Sequence, residues 1–565
     1  MKTIVHWINH YSLRSTPKND RMWLTASLAM AALYGILFWR LAFDAPYAIQ
    51  DDARQHVFWM WRYIDPMLFP NDIIADYFQS VAPMGYKSLY RLGALAGIEP
   101  LTFHKLLPPF ICLFGTVYAF DLALAIIPVP LIAFVNTLIL NQSLWMWDEI
   151  ASATPKAFSV LLLLALMVYV ARRQLWRCTL VIALQGLFYP HLVLISVVFL
   201  ALRTLWSRGE RLSAIRFFVA GAVAAIIVLL PYALTTSPYG PVVTLEQAKT
   251  MVEFQPIGRN SFFYDSWARY WLFSGRSGFF PPIVPTTICL SLLLPALLWF
   301  RLPLLSRITR HGVLLLQILS AAVTMFLLSH STLFLLHLPS RYSRHVLKIV
   351  VALAAAMVII ALLDSGLRRL SQAPQALWRQ LVAVAMVAGV ALVTVGYPLL
   401  LDSFLNVVYT KSDRIALYEY IQQQPKDIRI ASLSNEAENI PAFTRRSILV
   451  SSGHSVAYHR KYYSEIRQRS LDLIAGQYSP DLSVLQSVIN RYGIDFWLID
   501  QKSFNPEAMP RMWLRQFVTE WDTAMTQLQQ QPSALQQLVP GCTAISDQGR
   551  TLLSAECLLE ATSPS

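Results

Sequence analysis

The chain has 565 residues, of which 55% are hydrophobic and 14% charged, and its mean hydropathy is +0.46. Soluble domains carry nearer a quarter charged residues, so this composition excludes a wholly soluble protein and assigns most of the chain to lipid. The net charge of +13 does not indicate nucleic-acid binding, because the basic residues fall in short clusters between apolar runs. The five cysteines show no Cys-x-x-Cys spacing, which argues against a thiolate zinc or iron–sulfur site.

Taken in chain order, a basic N-terminal cluster (Lys2, Arg14, Lys18, Arg21) precedes an apolar run from Trp23 to Phe43. That run matches the roughly 20 residues needed to cross a bilayer. No small-residue cleavage site follows it, so it reads as a retained anchor. Residues 44–104 then form a polar loop that carries Asp51, Asp52, Arg54, His56, Arg62, Asp65, Asp72 and Asp76. Amphipathic patterns near 53–64 and 86–96 predict helices lying in the membrane interface. The adjacent carboxylates Asp51 and Asp52 suit a catalytic base or a metal ligand where a membrane helix meets water. They equally suit the N-terminus of the helix that follows, where Asp is favoured.

Apolar runs recur at about 105–126, 129–147, 154–171, 178–189, 190–206, 214–234, 281–300, 312–329, 345–363 and 380–401. Eleven spans starting from a cytoplasmic N-terminus bring five basic clusters to the cytoplasmic side, as the positive-inside rule requires. These are the N-terminal cluster, Arg172/Arg173/Arg177, Arg203/Arg208/Arg211/Arg216, Arg301/Arg307/Arg310 and Arg368/Arg369/Arg379. The map depends on breaking 178–206 into a hairpin at Tyr189-Pro190, since a single kinked helix would invert the second half. It exports the loop 44–104, the corner 148–153, the loop 235–280 and everything after 402. The expected domains are therefore a membrane domain over 1–401 and an exported one over 402–565. In the latter, Ile428–Leu433 and Ile494–Ile499 read as buried strands, and Ser412–Gln423 and Asp481–Arg491 as helices. This alternation predicts a small α/β domain. Cys542 and Cys557 lie in it, either as a disulfide in an oxidising compartment or as two free thiols.

Four further groups carry potential chemistry. Asp148 and Glu149 sit at an exported corner just before Pro155 and Lys156, as ligands for a cation or as acids satisfying a helix dipole. Lys156 would face the headgroup region, where an ammonium can meet a phosphate. Tyr189-Pro190-His191 puts a histidine inside apolar sequence, which is costly unless it faces a wet pocket or a partner. Arg341 and Arg344, at the exported start of the tenth span, run against the positive-inside trend and suit an anionic ligand such as a lipid phosphate. Snorkelling to headgroups is the plainer reading. The loop 235–280 adds Arg276 among its charges and the aromatic run Phe262-Phe-Tyr-Asp-Ser-Trp267, which suits sugar rings or a membrane anchor.

In this arrangement the chain resembles the GT-C-fold glycosyltransferases, integral-membrane enzymes that use lipid-phosphate-linked sugars. The resemblance rests on Asp51-Asp52 in the first exported loop, Asp148-Glu149 at the next corner and the break at Tyr189-Pro190. It also rests on the Pro339–Tyr342 segment entering a late span and on a C-terminal exported domain. It implies an α-helical polytopic GT-C-like membrane protein of about eleven transmembrane helices. The implied activity is sugar transfer from a polyprenyl-phosphate donor to a glycan, lipid or protein acceptor at the outer face of the plasma (inner) membrane. It further implies a catalytic Asp51 or Asp52, and a divalent cation (Mg or Mn) on Asp52, Asp148 and Glu149. The donor phosphate would fall to Lys156, His191, Arg276, Arg341 and Arg344. The Asp51–His56 wording departs from the motifs of oligosaccharyl- and protein mannosyl-transferases, which leaves donor and acceptor open. The alternative is a non-catalytic envelope protein or a transporter on the same scaffold.

Overall fold

The computed structural model describes residues 11–206, 209–371, 377–402, 404–505 and 513–562. Of the residues named above, Lys2 and Arg208 lie outside them. Every apolar run read from the sequence lies on helical segments. Among the described residues six helices are long and apolar enough to cross a membrane: Pro17–Ala42, Pro100–Ile126, Arg211–Leu234, Arg310–Ser331, Ser340–Ser371 and Leu377–Thr394. Shorter apolar helices cover Pro155–Ala171, Leu175–Phe188, His191–Trp206 and Thr286–Trp299. The protein is thus a helical membrane protein.

The helix Pro130–Trp145 is buried on nearly every side, and its polar residues bond to neighbouring helices. Asn141 donates to the Thr116 hydroxyl (2.9 Å), Asn136 to the Ala119 carbonyl (3.1 Å) and Gln142 to the Thr394 carbonyl (2.7 Å). Such bonds hold helices together where an apolar surround supplies little driving force of its own. The break at Tyr189-Pro190 folds the chain back on itself. The Ser196 hydroxyl donates to Gln185 Oε1 at 2.6 Å. In one continuous helix residues this far apart would be separated by about 16 Å.

The basic clusters gather at one end. Arg173 and Arg310 both pair with Glu210, and Arg172 pairs with Asp121 at 2.9 Å. Arg14, Arg307 and Arg368 line a common surface cavity. Arg341 and Arg368 mark the two ends of the helix Ser340–Ser371, a separation of about 40 Å at 1.5 Å per residue. The acid-bearing corners therefore lie more than a hydrocarbon core's roughly 30 Å away from the basic end.

A second hydrophobic core joins the first loop to the C-terminal segment. Ile49, Phe58, Trp59, Trp61, Phe69, Tyr86 and Tyr90 pack with Leu417, Ile430, Trp497 and Leu553. The segments expected to lie in the membrane interface, Asp51–Val57 with the turn Phe58–Tyr63, are instead buried here, because their large aromatic faces find an apolar partner in the C-terminal segment. Strand β1 (Tyr47–Gln50) pairs antiparallel with β2 (Tyr409–Ser412), tying the residues just before Asp51 to the chain leaving the last helix. The remaining strands form one sheet: β3 (Arg429–Ser432), β4 (Ser447–Ile448), β5 (Phe496–Asp500), β6 (Thr543–Asp547) and β7 (Arg550–Ser554), in the order β4-β3-β5-β7-β6. β3 runs parallel to β4 and β5, while β7 is antiparallel to β5 and β6. Cys542 and Cys557 form a disulfide.

Candidate active site

Asp51 and Asp52 open the helix Asp51–Val57 without capping it. The Gln50 side chain does so, accepting from the Asp52 N–H (2.8 Å) and the Ala53 N–H (3.2 Å). Both carboxylates are thereby released to other partners. Asp51 pairs with Arg54, which also reaches Glu438 Oε2 (2.9 Å) and donates to Asn439 Oδ1 (2.8 Å). This pair faces the C-terminal segment.

Asp52 turns to the membrane body, where it pairs with Lys156. Lys156 also donates to Asp148 Oδ2 at 2.6 Å. One ammonium thus draws together the first-loop acid and the second-corner acid, joined through the turn Pro155–Phe158. Burial raises the Asp52 carboxyl, but the cations Lys156 and Arg341, with His56, overcome it and hold the group at about 2. His56 stands four residues after Asp52 on the same helix face and rests edge-on against Phe78 at 5.4 Å. Burial pushes its pKa down, against the pull of the nearby Asp52.

Arg341 is the remaining cation of this group, interacting electrostatically with Tyr189, Asp52 and Asp148. Around it stand His191, His337 and Tyr342, with ring centroids 5.2 and 5.9 Å from His191. His191 Nδ1 is buried without a partner among the described residues. Burial also drives the His337 pKa well down.

Other expected site residues face elsewhere. Glu149 is buried against Lys348 (2.7 Å), with His345 Nδ1 at 3.9 Å. Burial raises its carboxyl, but Lys348 and His345 win and hold it at about 2. Arg344 donates to the Ser274 carbonyl at 2.8 Å, and Arg276 to the carbonyls of Ser261 and Arg259, both at 3.2 Å. These two arginines fasten the loop 235–280, whereas Arg341 stays with the acids. In that loop Phe262 packs against Phe334 and Tyr270 as a small core, and of the aromatic side chains in the run only Trp267 is largely exposed. Of the groups to which the sequence analysis gave no role of their own, His56 lay within the motif itself, at helical spacing from Asp52. Tyr189 stood next to the proline break, and Lys348 followed Arg341 along one helix.

Of the donors expected for a divalent cation, Asp52 and Asp148 are brought together and Glu149 is set apart. Asp52 and Asp148 meet at an ammonium, Glu149 is engaged by a different lysine, and Arg341 adds positive charge. Among the described residues no group of three or more His, Cys, Asp and Glu side chains is placed to hold a metal.

In fold the chain is similar to solved structures of GT-C-fold glycosyltransferases. One is the archaeal oligosaccharyltransferase AglB from Archaeoglobus fulgidus in complex with an inhibitory peptide and a dolichol-phosphate. The match has a TM-score of 0.53 and 10% identity, and covers 85% of this chain and 70% of that one. The apo form of the Archaeoglobus fulgidus oligosaccharyltransferase matches with a TM-score of 0.51, 11% identity and the same coverage. A weaker likeness, with a TM-score of 0.45 and 11% identity over 94% of this chain and 98% of the other, is to ArnT from Cupriavidus metallidurans bound to undecaprenyl phosphate. No family model and no curated protein matches the sequence.

Proposed function

We propose that the protein transfers a sugar from a polyprenyl-phosphate-linked donor to an acceptor hydroxyl or amide at the outer membrane face. The observation that carries this reading is the meeting of Asp52 and Asp148 on Lys156 beside Arg341, within a GT-C fold. A neighbour of the same fold was solved with a dolichol-phosphate, the kind of ligand this cluster suits. Lys156 and Arg341 receive the donor's phosphate, since paired guanidinium donors and an ammonium match its oxygens.

The same binding step prepares the base. As the phosphate draws Lys156 and Arg341 onto itself, Asp52 loses part of the field that holds its pKa down, and its basicity rises. Asp52 then takes the acceptor's proton as the acceptor attacks the anomeric carbon and the bond from that carbon to the phosphate oxygen breaks. The departing phosphate keeps its charge against Lys156 and Arg341. Tyr189, His191 and His337 complete the wall around these cations.

The topology belongs to this reading: eleven crossings, the N-terminus cytoplasmic, and residues 402–565 with the first loop outside. The single basic end supports it, as does the Cys542–Cys557 disulfide, which suits an oxidising compartment.

The test is purification in native lipid, mass-spectrometric identification of any co-purified lipid-linked sugar, and its use as donor. Asp52→Asn should cut transfer roughly a hundredfold to ten-thousandfold, the usual contribution of a general base. Full transfer by a folded Asp52→Asn variant overturns the assignment.

A further inference from the structure

The C-terminal sheet holds a second site that the transfer chemistry does not use. β3 and β5 are parallel neighbours, yet the chain leaves them in different directions. After β3 it enters the helix Ile440–Thr444, which packs on Ile415–Gln423; after β5 it reaches Val518–Gln530, which packs on Arg460–Tyr478. Open α/β sheets bind ligands in the crevice beyond the carboxyl ends of strands at such a divergence. A cavity of about 320 Å³ lies there, between the residues following β3 and those following β5. That volume is at the lower end of ligand sites, enough for one or two small rings.

Its lining is polar, planar and aromatic at once. Asp500, at the end of β5, is fixed by the Ser434 hydroxyl and by Arg550 Nε at 2.7 Å. The Gln501 amide and the Lys502 ammonium are exposed and carry no hydrogen bond or ion pair among the described residues. Tyr478 and Trp521 stand edge to face at 5.8 Å and offer an apolar wall, with Gln477 bonded to the Tyr478 hydroxyl at 2.7 Å. A sugar ring presents an apolar face to aromatic rings and a rim of hydroxyls to carboxylate, amide and guanidinium groups.

Charge decides against a phosphorylated ligand. The turn after β3 has no glycine-rich cradle and leads into the buried Glu436, while Asp500, at the end of β5, puts a carboxylate in the crevice where a phosphate would need bare N–H groups. Arg550 is already shared between these two acids, 2.7 Å from Asp500 and 3.8 Å from Glu436. We propose that this crevice binds a neutral mono- or disaccharide unit, apart from the charged cluster around Asp52.

Saturation-transfer NMR on the full-length protein in nanodiscs tests this, with maltose, N,N′-diacetylchitobiose and α-1,6-mannobiose as probes. At least one should give a saturable signal that inorganic phosphate and AMP do not displace. Trp521→Ala should weaken that binding about tenfold, the loss of one aromatic contact. The exposed change Gln501→Leu, which threatens no core packing, should weaken it as well. Asp52→Asn should leave it unchanged, which keeps this test separate from that of the transfer reaction. The proposal is overturned by silence from all three disaccharides, by displacement with phosphate or AMP, or by a signal that survives Gln501→Leu and is lost in Asp52→Asn.

Discussion

Asp51 and Asp52 differ by one step on a helix, about 100° of rotation, and that rotation sends their charges to different partners. Asp51 shares Arg54 with the C-terminal segment; Asp52 shares Lys156 with Asp148. Asp51→Asn should therefore cost at most about 1 kcal/mol in denaturant unfolding, as a partly exposed ion pair does, and leave transfer near wild type. Lys156→Gln should show in the pH profile instead. The Asp52 pKa is depressed to about 2, so the stability its ionised form contributes is present above the unfolded value near 3.8 and is lost as pH falls toward 2. Without Lys156 that fall, and the acid limb of activity, should move to higher pH. The histidines act in the same sense, in a higher pH range. Burial lowers His56, and lowers His454 to about 3, so in acid the unfolded chain takes protons near pH 6.5 that the folded chain refuses. Thermal stability should decline as pH drops below about 6.5, and His454→Phe should soften that decline. Legibility at this scale followed charge: acids and arginines at helix ends stood out, and Lys156 with them, while the partners Lys348 and Glu438 did not. Nothing in the wording at 341 and 344 separates an arginine facing Asp52 from one bonded to the Ser274 carbonyl, because a three-residue step on a helix does not say which neighbours pack there.

At the scale of elements, local pattern carried far. The runs Ile428–Leu433 and Ile494–Ile499 coincide with β3 and β5, and Asp481–Arg491 with the helix Leu482–Tyr492. What local pattern could not carry was pairing between distant segments. β1 with β2, and the burial of Trp59 and Trp61 beneath residues beyond 417, join parts of the chain more than 300 positions apart. An amphipathic aromatic face looks the same whether it meets lipid or protein. The hairpin at Tyr189-Pro190 has a direct check: a Gln185→Cys/Ser196→Cys pair should cross-link under mild oxidation, and a single straight helix would keep the two thiols far apart. The Cys542–Cys557 disulfide joins residues 15 apart, between the helix before β6 and the one after β7. Replacing both with Ser should lower stability by about 2–4 kcal/mol. Reducing agent that leaves the wild-type melting temperature unchanged would show the bond contributes nothing.

For the whole molecule, the separation of charge along the membrane normal is the organising fact. Helix Ser340–Ser371 has Arg341 with the acids at one end and Arg368 at the other, beside Arg14 and Arg307. Arginines retained near cytosolic water set the orientation of short loops. Arg341, by contrast, is kept at the far end by Asp52 and Asp148, whose charges oppose its own. If this orientation holds, a cysteine introduced at Lys426 or Gln501 should react with a membrane-impermeant maleimide in intact cells, since both side chains are exposed on the C-terminal segment. A cysteine at Arg310, on the basic end, should react only after the membrane is opened. The native thiols Cys112 and Cys178 are buried, and Cys289 is replaced by Ser in the background. Labelling at Arg310 from outside, with Lys426 and Gln501 protected, would invert the map and put the Asp52 cluster in the cytosol. The lipid-linked donor would then have to be presented at the inner leaflet, and a disulfide at Cys542–Cys557 would stand in a reducing compartment. The labelling pattern therefore decides both the orientation and the membrane face at which the reaction proceeds.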